Sequence, residues 1–324
     1  MTAFPSRRGR RLRMTPALRN QFAETRVSAA QFVLPVFIVP GKNVSRAIPS
    51  MPGHNQMSVD VVCDVARRAQ DAGVGGMMFF GIPATKDSEG TSGWDEAGPV
   101  PRVLEAVAQA APELVRWADV CLCEYTDHGH CGVVVDGVVD NDATLPLLTK
   151  AAVVYADSGA QIVTPSDMMD GRVAAIRSGL DTASHADTAI CVHAVKYASA
   201  YYGPFRDAVG SSLQSGDRRS HQMNPPNRRE ARVEVLEDIA AGADVVMVKP
   251  AGPYQDIIRQ TRDIVDTPVA AYQVSGEFAM IKAAAANGWV DGDSVMMESL
   301  TGIARAGADV IATYFAIEAA EALQ

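Results

Sequence analysis

Three cysteines lie close together in the sequence, at a spacing that is typical of a metal site. Cys121, Cys123 and Cys131 belong to the run DVCLCEYTDHGHCG. If residues 119–124 form a strand, the two-residue alternation places Cys121 and Cys123 on one face, and a short loop returns Cys131 to them. Three thiolates suit zinc, and a site with three protein ligands keeps a coordination position for water or substrate. The spacing therefore indicates a zinc site, with an open position if no further ligand joins.

Two alternatives to a catalytic zinc site stay open at the level of sequence. His128 and His130 lie in the same loop, and either imidazole would complete the four-ligand shell of a structural zinc site. Three buried cysteines that bind no metal are the other interpretation of this spacing.

A pair of lysines forms the second group of reactive residues. Lys196 follows the apolar run AICVHAV, and Lys249 follows VVMV. Burial or a second cation lowers the pKa of an ammonium group, and a neutral lysine attacks carbonyl carbon. On neighbouring strands the two lysines would lower each other's pKa, so that one could form a Schiff base with a ketone. Each lysine alone could instead extend to solvent or pair with a carboxylate such as Asp244.

The segment after Lys196 is polar and basic, and we predict that it forms an active-site lid at about residues 203–227. It carries Arg206, Arg218 and Gln222, and guanidinium groups bind carboxylates with two parallel hydrogen bonds. A lid with these residues suits a small carboxylic acid, because long loops in compact domains are usually functional. The alternative is an exposed loop with solvated charges.

Hydroxyl groups follow the last two predicted strands. Tyr272 and Ser275 lie in AAYQVSGEF, and Tyr314 lies in DVIATYF. Hydroxyls at the mouth of a barrel can bind a second carboxylate or a reacting oxygen atom. Buried tyrosines are more often core residues whose hydroxyl has one hydrogen-bond partner. The physical argument that Tyr314 binds a ligand is therefore weak on its own.

Eight short apolar runs alternate with amphipathic segments along the chain. The runs are rich in valine, isoleucine and aromatic residues, as expected for parallel strands that helices cover on the outside. They are predicted at residues 32–39, 74–80, 119–123, 161–164, 189–195, 244–248, 269–274 and 309–315. The helices are predicted at residues 58–72, 101–115, 145–158, 168–178, 228–241, 254–265, 277–287 and 293–305.

This alternation predicts an α/β fold, a (β/α)8 TIM barrel that is preceded by an extended N-terminal arm. Four predicted helices end in glycine shortly before the next strand, which is the usual left-handed stop. A doubly wound open sheet is the alternative, but no GxGxxG motif follows the first strand.

Composition restricts the class of protein. The chain has 324 residues, of which 48% are hydrophobic and 21% charged, as in one large globular domain. The formal net charge of -9 argues against nucleic-acid and membrane-surface binding. Five cysteines, three of them bunched, favour metal chemistry in a reducing compartment. Because the sequence shows neither a membrane span nor a secretory signal, we expect a cytoplasmic protein.

The first 30 residues differ from the rest of the chain. Arginines are concentrated between Arg7 and Arg13, ahead of Thr15 and Pro16. A nucleic-acid arm and an organelle transit segment are alternatives, but we favour an arm that docks on an acidic neighbouring subunit. We therefore expect residues 1–30 to make subunit contacts and residues 31–324 to form a single catalytic barrel domain.

From about Leu34 to its end, the chain resembles the porphobilinogen synthase family, also called 5-aminolevulinate dehydratase, of the zinc-dependent type with three cysteines. The resemblance is specific, because the cysteine, lysine and serine motifs occur in order on the expected strands. The matching segments are DVCLCEYTDHGHCG, VDNDATL, PSDMMDGR, KYASAYYGPFRDA, GDRRSHQMNP, VMVKPAGPY, AAYQVSGEFAMI and ESLTGIARAGAD.

The resemblance implies the condensation of two 5-aminolevulinate molecules to porphobilinogen, in tetrapyrrole and heme biosynthesis. It implies that Lys249 is the principal Schiff-base lysine and Lys196 the second. Asp119 and Ser166 match polar active-site residues, Asp119 as a proton-transfer group. The remaining matches are Arg206, Arg218 and Gln222 for the second substrate's carboxylate, Ser275 and Tyr314 for the first, and Cys121, Cys123 and Cys131 for the catalytic zinc.

The resemblance also implies features outside the reaction itself. Glu234 matches the ligand of an allosteric magnesium ion in many bacterial members, although a glutamate on an amphipathic helix is usually just solvated. The family forms homo-octamers in which the arm embraces a neighbour. Two residues depart from the family's sequence pattern, and both lie beside functional residues. Glu124 stands where many members have proline, and His221 stands where a tyrosine is common.

Two other functions compete with this interpretation. A class I Schiff-base aldolase also uses a barrel lysine, but it leaves the three thiolates and the second lysine without a role. A catalytically silent barrel would use its zinc for structure or partner binding, and the retained nucleophiles argue against it.

Overall fold

Eight parallel strands form a closed barrel, in which each strand pairs with the next and the last pairs with the first. Phe32 lies opposite Ile311 and Val33 opposite Ala312 where the ring closes. The structure, a computed structural model, describes residues 4–211 and 216–324. The TIM barrel predicted from the sequence is confirmed. Its strands are β1 (Phe32–Ile38), β2 (Gly76–Gly81), β3 (Val115–Val120), β4 (Ile162–Pro165), β5 (Ala189–Lys196), β6 (Val245–Lys249), β7 (Val269–Gln273) and β8 (Val310–Thr313).

Helices cover the outer face of the strands and shield them from water. In the helix at Val59–Asp71, Val62, Ala66 and Ala69 are buried, a spacing that places them on one helical face. All eight predicted helices are present with shifted ends. The helices are α1 (Pro16–Gln21), α2 (Val59–Asp71), α3 (Pro99–Ala110), α4 (Asn141–Asp157), α5 (Arg172–Thr182), α6 (Gly203–Val209), α7 (Glu230–Ala240), α8 (Gln255–Ile264), α9 (Ser275–Ala286), α10 (Gly292–Ala306) and α11 (Ala316–Ala322).

The four glycines that were expected to stop helices before strands all have positive φ angles. The values are 81° for Gly73, 93° for Gly159, 108° for Gly242 and 122° for Gly307. A side chain is disfavoured in this region of φ, so glycine lets the chain leave the helix and turn back toward the barrel. The predicted helix stops are confirmed.

The third strand lies earlier in the chain than the sequence suggested. It ends at Val120, so Cys121 and Cys123 do not alternate along a strand. They lie in the loop that follows, where the Tyr125 amide donates to the Leu122 carbonyl at 2.9 Å and closes a tight turn. The prediction of a strand through Cys123 is therefore wrong, because this turn takes up the backbone hydrogen bonds that continued pairing would need.

The segment predicted as a lid contains a short helix that the sequence did not indicate. Helix α6 begins after Tyr202, has a proline in its first turn and ends at Gly210, which is left-handed. Both features favour a helix of this length. Residues 212–215 of the predicted lid lie outside the described residues.

Residues 4–31 precede the barrel and expose apolar as well as basic side chains. They include a short helical turn at Gly9–Arg13 and helix α1, whose N-cap Thr15 accepts a hydrogen bond from the Leu18 amide. Phe4 is 74% exposed and Met14 61% exposed. Met1 to Ala3 lie outside the described residues.

A buried arginine connects two consecutive strand-helix units of the barrel, β4–α5 and β5–α7. Arg172, at the start of α5, donates to the Met169 carbonyl at 3.0 Å and to the His193 carbonyl at 3.2 Å. It also pairs with Asp238 of α7 at 3.1 Å. His193 lies at a register shift between β5 and β6, so the guanidinium group supplies a donor to a carbonyl where the strand ladder is irregular.

No helix in the described part of the chain combines the length and apolar character that a membrane span needs.

The Arg172–Asp238 pair gives a prediction for stability. Asp238→Ala should lower the free energy of unfolding by about 3–5 kcal/mol, because it leaves a buried guanidinium without its carboxylate. Asp263→Ala is the control, since it removes an exposed pair with Arg259 and should cost less than about 1 kcal/mol. Denaturant unfolding monitored by circular dichroism measures both, and equal losses would contradict the expectation.

Candidate active site

Two lysines lie side by side at the carboxyl end of the barrel. Lys196 is the last residue of β5 and Lys249 the last residue of β6, and the two are direct partners in the strand register. Both are buried, with exposures of 6% and 5%. Parallel pairing of adjacent strands places the two side chains on the same side of the sheet. The adjacency expected from the sequence is thus present.

The two ammonium groups have different surroundings. The Lys249 ammonium lies 4.0 Å from the centre of the Tyr272 ring and 5.4 Å from that of Phe205. Burial, and next the positive charge of Lys196, lower the pKa of Lys249 to about 7. A substantial fraction of Lys249 is therefore neutral near pH 7 and available as a nucleophile.

The pKa of Lys196 is shifted in the opposite direction to that of Lys249. Burial acts to lower its pKa, but the charges of the nearby cysteines and of Asp119 outweigh burial and raise the pKa. Its ammonium group donates to the Ser166 carbonyl. Lys196 is therefore the cation of the pair, and Lys249 is the neutral amine.

Asp119 lies just before the end of β3, near enough to both lysines to interact with their charges. Its Oδ2 accepts a hydrogen bond from the Ser166 hydroxyl at 3.1 Å, and Oδ1 has no hydrogen-bond partner among the described residues. Burial, followed by the charge of Glu124, raises the pKa of Asp119 to about 8. A carboxyl group that keeps its proton at neutral pH can act as a proton donor.

The three cysteines form a compact buried cluster, which we call the cysteine cluster. The sulfur atoms of Cys121, Cys123 and Cys131 all lie within 4.8 Å of one another, and those of Cys121 and Cys123 are 3.4 Å apart. Tetrahedral zinc with Zn–S bonds of about 2.3 Å separates two sulfur ligands by about 3.8 Å. The cluster can therefore hold a metal ion with little rearrangement, and its soft donors suit zinc.

The thiols of the cysteine cluster differ in their pKa values. Hydrogen bonds from Cys121 and Cys123 hold the pKa of the Cys131 thiol well below its usual range, and the Arg218 charge adds to this effect. Burial raises the pKa of Cys121. One thiolate that is ready to bind a cation thus exists before any metal arrives, and metal binding releases the other protons.

The nearby histidines are not part of the cluster. Among the described residues, the group of potential ligand atoms contains only the three sulfurs. The His128 ring instead lies within hydrogen-bonding distance, 3.1 Å, of the Ser88 carbonyl. This arrangement favours the site with three protein ligands over the closed structural site.

A cavity at the mouth of the barrel, which we call the main cavity, brings most of the predicted residues together. The expected residues that line it are Cys123, Ser166, Lys196, Arg218, Lys249, Tyr272, Ser275 and Tyr314. Glu124 and the apolar side chains of Phe80, Tyr202, Phe205 and Val274 complete the lining.

The predicted carboxylate-binding residues form two groups around the main cavity. In one group the Ser275 hydroxyl accepts from the Phe205 amide at 2.9 Å, and the hydroxyls of Tyr272 and Tyr314 are 3.1 Å apart. In the other group Arg218 is buried and donates to the Gly129 and Ser211 carbonyls at 2.6 and 3.2 Å.

Arg206 and Gln222 lie just outside the main cavity. The pKa of Arg206 is lowered by burial and by the positive charge of Arg218, which places the two guanidinium groups near each other. Gln222 is buried, and neither its amide nitrogen nor its amide oxygen has a partner among the described residues. Both side chains keep donors for a polar ligand.

Glu234 does not belong to the main cavity. It lies on α7 and lines a separate cavity together with Gln222 and Asp170. Burial raises the pKa of Glu234, and the neighbouring Asp238, Asp170 and Glu230 add to that effect. Glu230 and Asp238 lie on the same helix, four residues before and after Glu234, so their spacing was the signal that could have revealed this acidic group; Asp170 joins it from the loop before α5.

Several residues of the site escaped the sequence analysis. His193 lies on β5 below Lys196, is fully buried, and has no partner for either ring nitrogen among the described residues. Lys86 donates to the Val209 and Gly210 carbonyls at the end of α6. The scarcity of lysine in the sequence was the one signal that could have drawn attention to Lys86.

Known proteins resemble this chain in both sequence and fold. The sequence profile of the family described as delta-aminolevulinic acid dehydratase matches residues 6–322. The delta-aminolevulinic acid dehydratase of Synechococcus elongatus is 52% identical over 321 residues, which cover 98% of each chain. That of Mycobacterium tuberculosis is 51% identical over 324 residues, covering 99% of this chain and 98% of the relative.

One solved structure matches the whole fold closely. It is the delta-aminolevulinic acid dehydratase (porphobilinogen synthase) of Toxoplasma gondii in complex with the reaction product porphobilinogen. The TM-score is 0.95 at 40% sequence identity, and the match covers 99% of this chain and 91% of the other.

Metal binding tests the cysteine cluster independently of any reaction. The reduced, metal-free protein should bind about one equivalent of Co²⁺ per chain and develop a thiolate-to-metal absorption band, because the site offers three sulfur ligands. Cys131→Ser should lose most of this band. Cys191→Ser is the control, since this buried cysteine lies outside the cluster; equal binding by both variants would contradict the assignment.

Proposed function

This chain belongs to the delta-aminolevulinic acid dehydratase family, and from that membership we infer that it is a porphobilinogen synthase. It joins two molecules of 5-aminolevulinate with loss of water, which makes it a lyase of tetrapyrrole and heme biosynthesis. The observation that carries this inference within the site is the pair of buried lysines at the barrel mouth, one of which is a neutral amine near pH 7.

We propose that each lysine forms a Schiff base with the keto carbon of one substrate, Lys249 first. The neutral Lys249 amine attacks the carbonyl, and water leaves as the imine forms. A protonated imine withdraws electrons, so that the adjacent carbon loses a proton easily and can form a carbon–carbon bond. Lys196 must lose its proton before it reacts; the ionised fraction of Asp119, which is hydrogen-bonded to Ser166, accepts that proton and returns it as water leaves and the imine forms.

The substrate carboxylates bind at the two polar sides of the main cavity. Arg206, Arg218 and Gln222 hold the carboxylate of the second substrate, because guanidinium groups form strong paired hydrogen bonds with carboxylates. Ser275 and Tyr314 hold that of the first, with Tyr272 beside them. Residues 203–227 act as the lid over this cavity, which is supported by the burial of Arg218 and Gln222.

The metal of the cysteine cluster is proposed to be zinc. Cys121, Cys123 and Cys131 would hold it, and bound zinc supplies Lewis-acid polarisation of a substrate group. The support is the buried set of three soft donors next to the main cavity.

A second metal ion is proposed at Glu234, as an allosteric magnesium ion. Oxygen ligands and water suit magnesium, and Asp170, Glu230 and Asp238 surround this glutamate with further carboxylates.

We propose a cytoplasmic homo-octamer in which residues 1–30 are an arm for subunit contacts and residues 31–324 the catalytic barrel domain. The apolar side chains that the arm exposes, such as Phe4, Leu12, Met14 and Phe22, support contact with a second copy of the chain. A class I aldolase is the weaker alternative, because it gives no role to the cysteine cluster or to Lys196.

Trapping with borohydride tests the Schiff base. The wild-type protein should form porphobilinogen, detected by its colour reaction with an aromatic aldehyde, and reduction in the presence of 5-aminolevulinate should attach substrate to Lys249. Lys249→Met should lose both properties, since it has no amine. Lys282→Met, which removes a surface partner of Glu318, should keep both; retained synthesis in Lys249→Met would refute the mechanism.

The pKa of Lys249 predicts how the rate of imine formation depends on pH. Its pKa is lowered to about 7, so the neutral fraction, and with it the trapping rate, should rise about tenfold from about pH 6 to about pH 8 and then level off. Lys196→Gln removes the neighbouring positive charge and should move this rise to higher pH. Stopped-time trapping with levulinate measures the profile, and a rate that does not change with pH speaks against the neutral-amine mechanism.

A further inference from the structure

Glu277 is a buried carboxylic acid to which the proposed reaction gives no role. It is the third residue of α9 and is 9% exposed. The described residues that line the main cavity include its neighbours Val274 and Ser275, but not Glu277 itself. Any effect of Glu277 on the reaction must therefore act through residues of the cavity wall.

The two carboxyl oxygens of Glu277 bind backbone amides from different strand-helix units. Oε2 accepts from the Val274 amide at 2.8 Å, which is the usual bond between a glutamate in the first turn of a helix and the N-cap residue. Oε1 accepts from the Gly252 amide at 2.7 Å, and Gly252 lies three residues after Lys249. The carboxyl group therefore bridges the loop that leaves β6 and the turn that leaves β7.

The bridge lies where the pairing of the two strands has ended. The last residues that pair between β6 and β7 are Val248 and Ala271, so the pairing stops one residue before Lys249. On the opposite side, towards β5, the Lys249 carbonyl accepts from the Tyr197 amide at 3.0 Å. The backbone of Lys249 is therefore bonded towards β5, while Glu277 joins the loop after it to the β7 side.

Close backbone contacts hold the start of α9 and the loop after β6 in place. A β-carbon at Gly252 would lie 2.4 Å from the Glu277 Oε1 atom, and one at Gly276 would lie 2.4 Å from the Tyr201 carbonyl oxygen. Neither glycine has a positive φ angle, so glycine is needed here for space. Any side chain at residue 252 would push the carboxyl group away from its amide.

The burial of Glu277 exceeds what a helix cap needs. Burial raises the pKa of Glu277 to about 7, and hydrogen bonds from backbone amides act against this shift. An exposed glutamate caps a helix without this cost of desolvation. A carboxyl oxygen can accept a hydrogen bond in both protonation states, so the bridge does not depend on which form is present.

Resting on the proposed function, we propose that Glu277 is a positioning residue for Lys249. By holding the loop after β6 against the start of α9, it keeps the Lys249 amine in place beside the Tyr272 ring of β7, 4.0 Å away. Without the bridge, the end of β6 can shift relative to β7. A misplacement of about 1 Å at a reacting group can cost about 100-fold in rate.

Levulinate tests this role, because it has the ketone and the carboxylate of the substrate but no amino group, and its reaction stops at the imine. With levulinate at saturation, the rate of borohydride trapping on Lys249 should fall at least about tenfold in Glu277→Gln. The levulinate concentration for half-maximal trapping should change by less than about threefold, because Glu277 does not itself bind the ligand. Peptide mass spectrometry locates and quantifies the reduced adduct.

Gly252→Ala breaks the same contact from the opposite side, since the added β-carbon displaces the Glu277 carboxyl group. It should slow trapping to a similar extent. The double variant Glu277→Gln with Gly252→Ala should be slower than either single variant by less than about twofold, because the two changes remove one shared contact.

Asp291→Ala is the matched control for a loss of stability at a helix start. Asp291 caps α10 by accepting from the Ser294 amide at 2.8 Å, and it is exposed. Its removal should lower the melting temperature by about 2–4 °C and leave the trapping rate within about twofold of the wild type.

Unchanged trapping in Glu277→Gln would overturn the positioning role, and so would equal slowing in Asp291→Ala. If Glu277→Gln does not fold by circular dichroism, Gly252→Ala decides, and failure of both to fold leaves Glu277 a structural residue only. A wild-type chain that traps levulinate but makes no porphobilinogen would defeat the proposed function and leave this comparison valid. A wild-type chain that traps nothing on Lys249 would defeat both.

Discussion

The structure of the site depends on two lysine ammonium groups that the strand register forces side by side in a buried space. Lys196 and Lys249 are direct partners on adjacent parallel strands, so the pairing of the barrel strands holds their backbone positions next to each other. Two positive charges are unfavourable in such surroundings. Loss of the proton from Lys249 removes one of the two charges. It also leaves the neutral amine, which is the form that attacks a ketone.

The anionic groups around the lysines decide which of the two stays charged. The cysteine cluster favours the charged form of Lys196, whereas aromatic rings surround Lys249. The same burial keeps a proton on Asp119 up to a pKa of about 8. Near neutral pH the site therefore contains a protonated acid, Asp119, a neutral amine, Lys249, and a cation, Lys196. Each group has a different balance of desolvation and neighbouring charge.

Residues outside the main cavity hold this arrangement in place. Arg172 connects the irregular part of β5 to α7, Lys86 binds the end of α6, and the Ser275 hydroxyl accepts from the Phe205 amide. These contacts come from loops and helix ends, which lie far apart in sequence. Their spacing carries no periodic pattern, so the sequence did not predict them.

The sequence by itself determined the barrel and the helix stops, because these depend on local periodicity and on glycine, and its motifs predicted which residues are reactive. The tertiary structure alone decided that the strand before Cys121 ends early, that the three sulfurs lie together with no histidine among the described residues joining them, and that Lys249 rather than Lys196 is the neutral amine. It also brought Glu124 into the main cavity. Distances, burial and charge balance arise only when distant segments pack together, and the sequence contains no local signal for them.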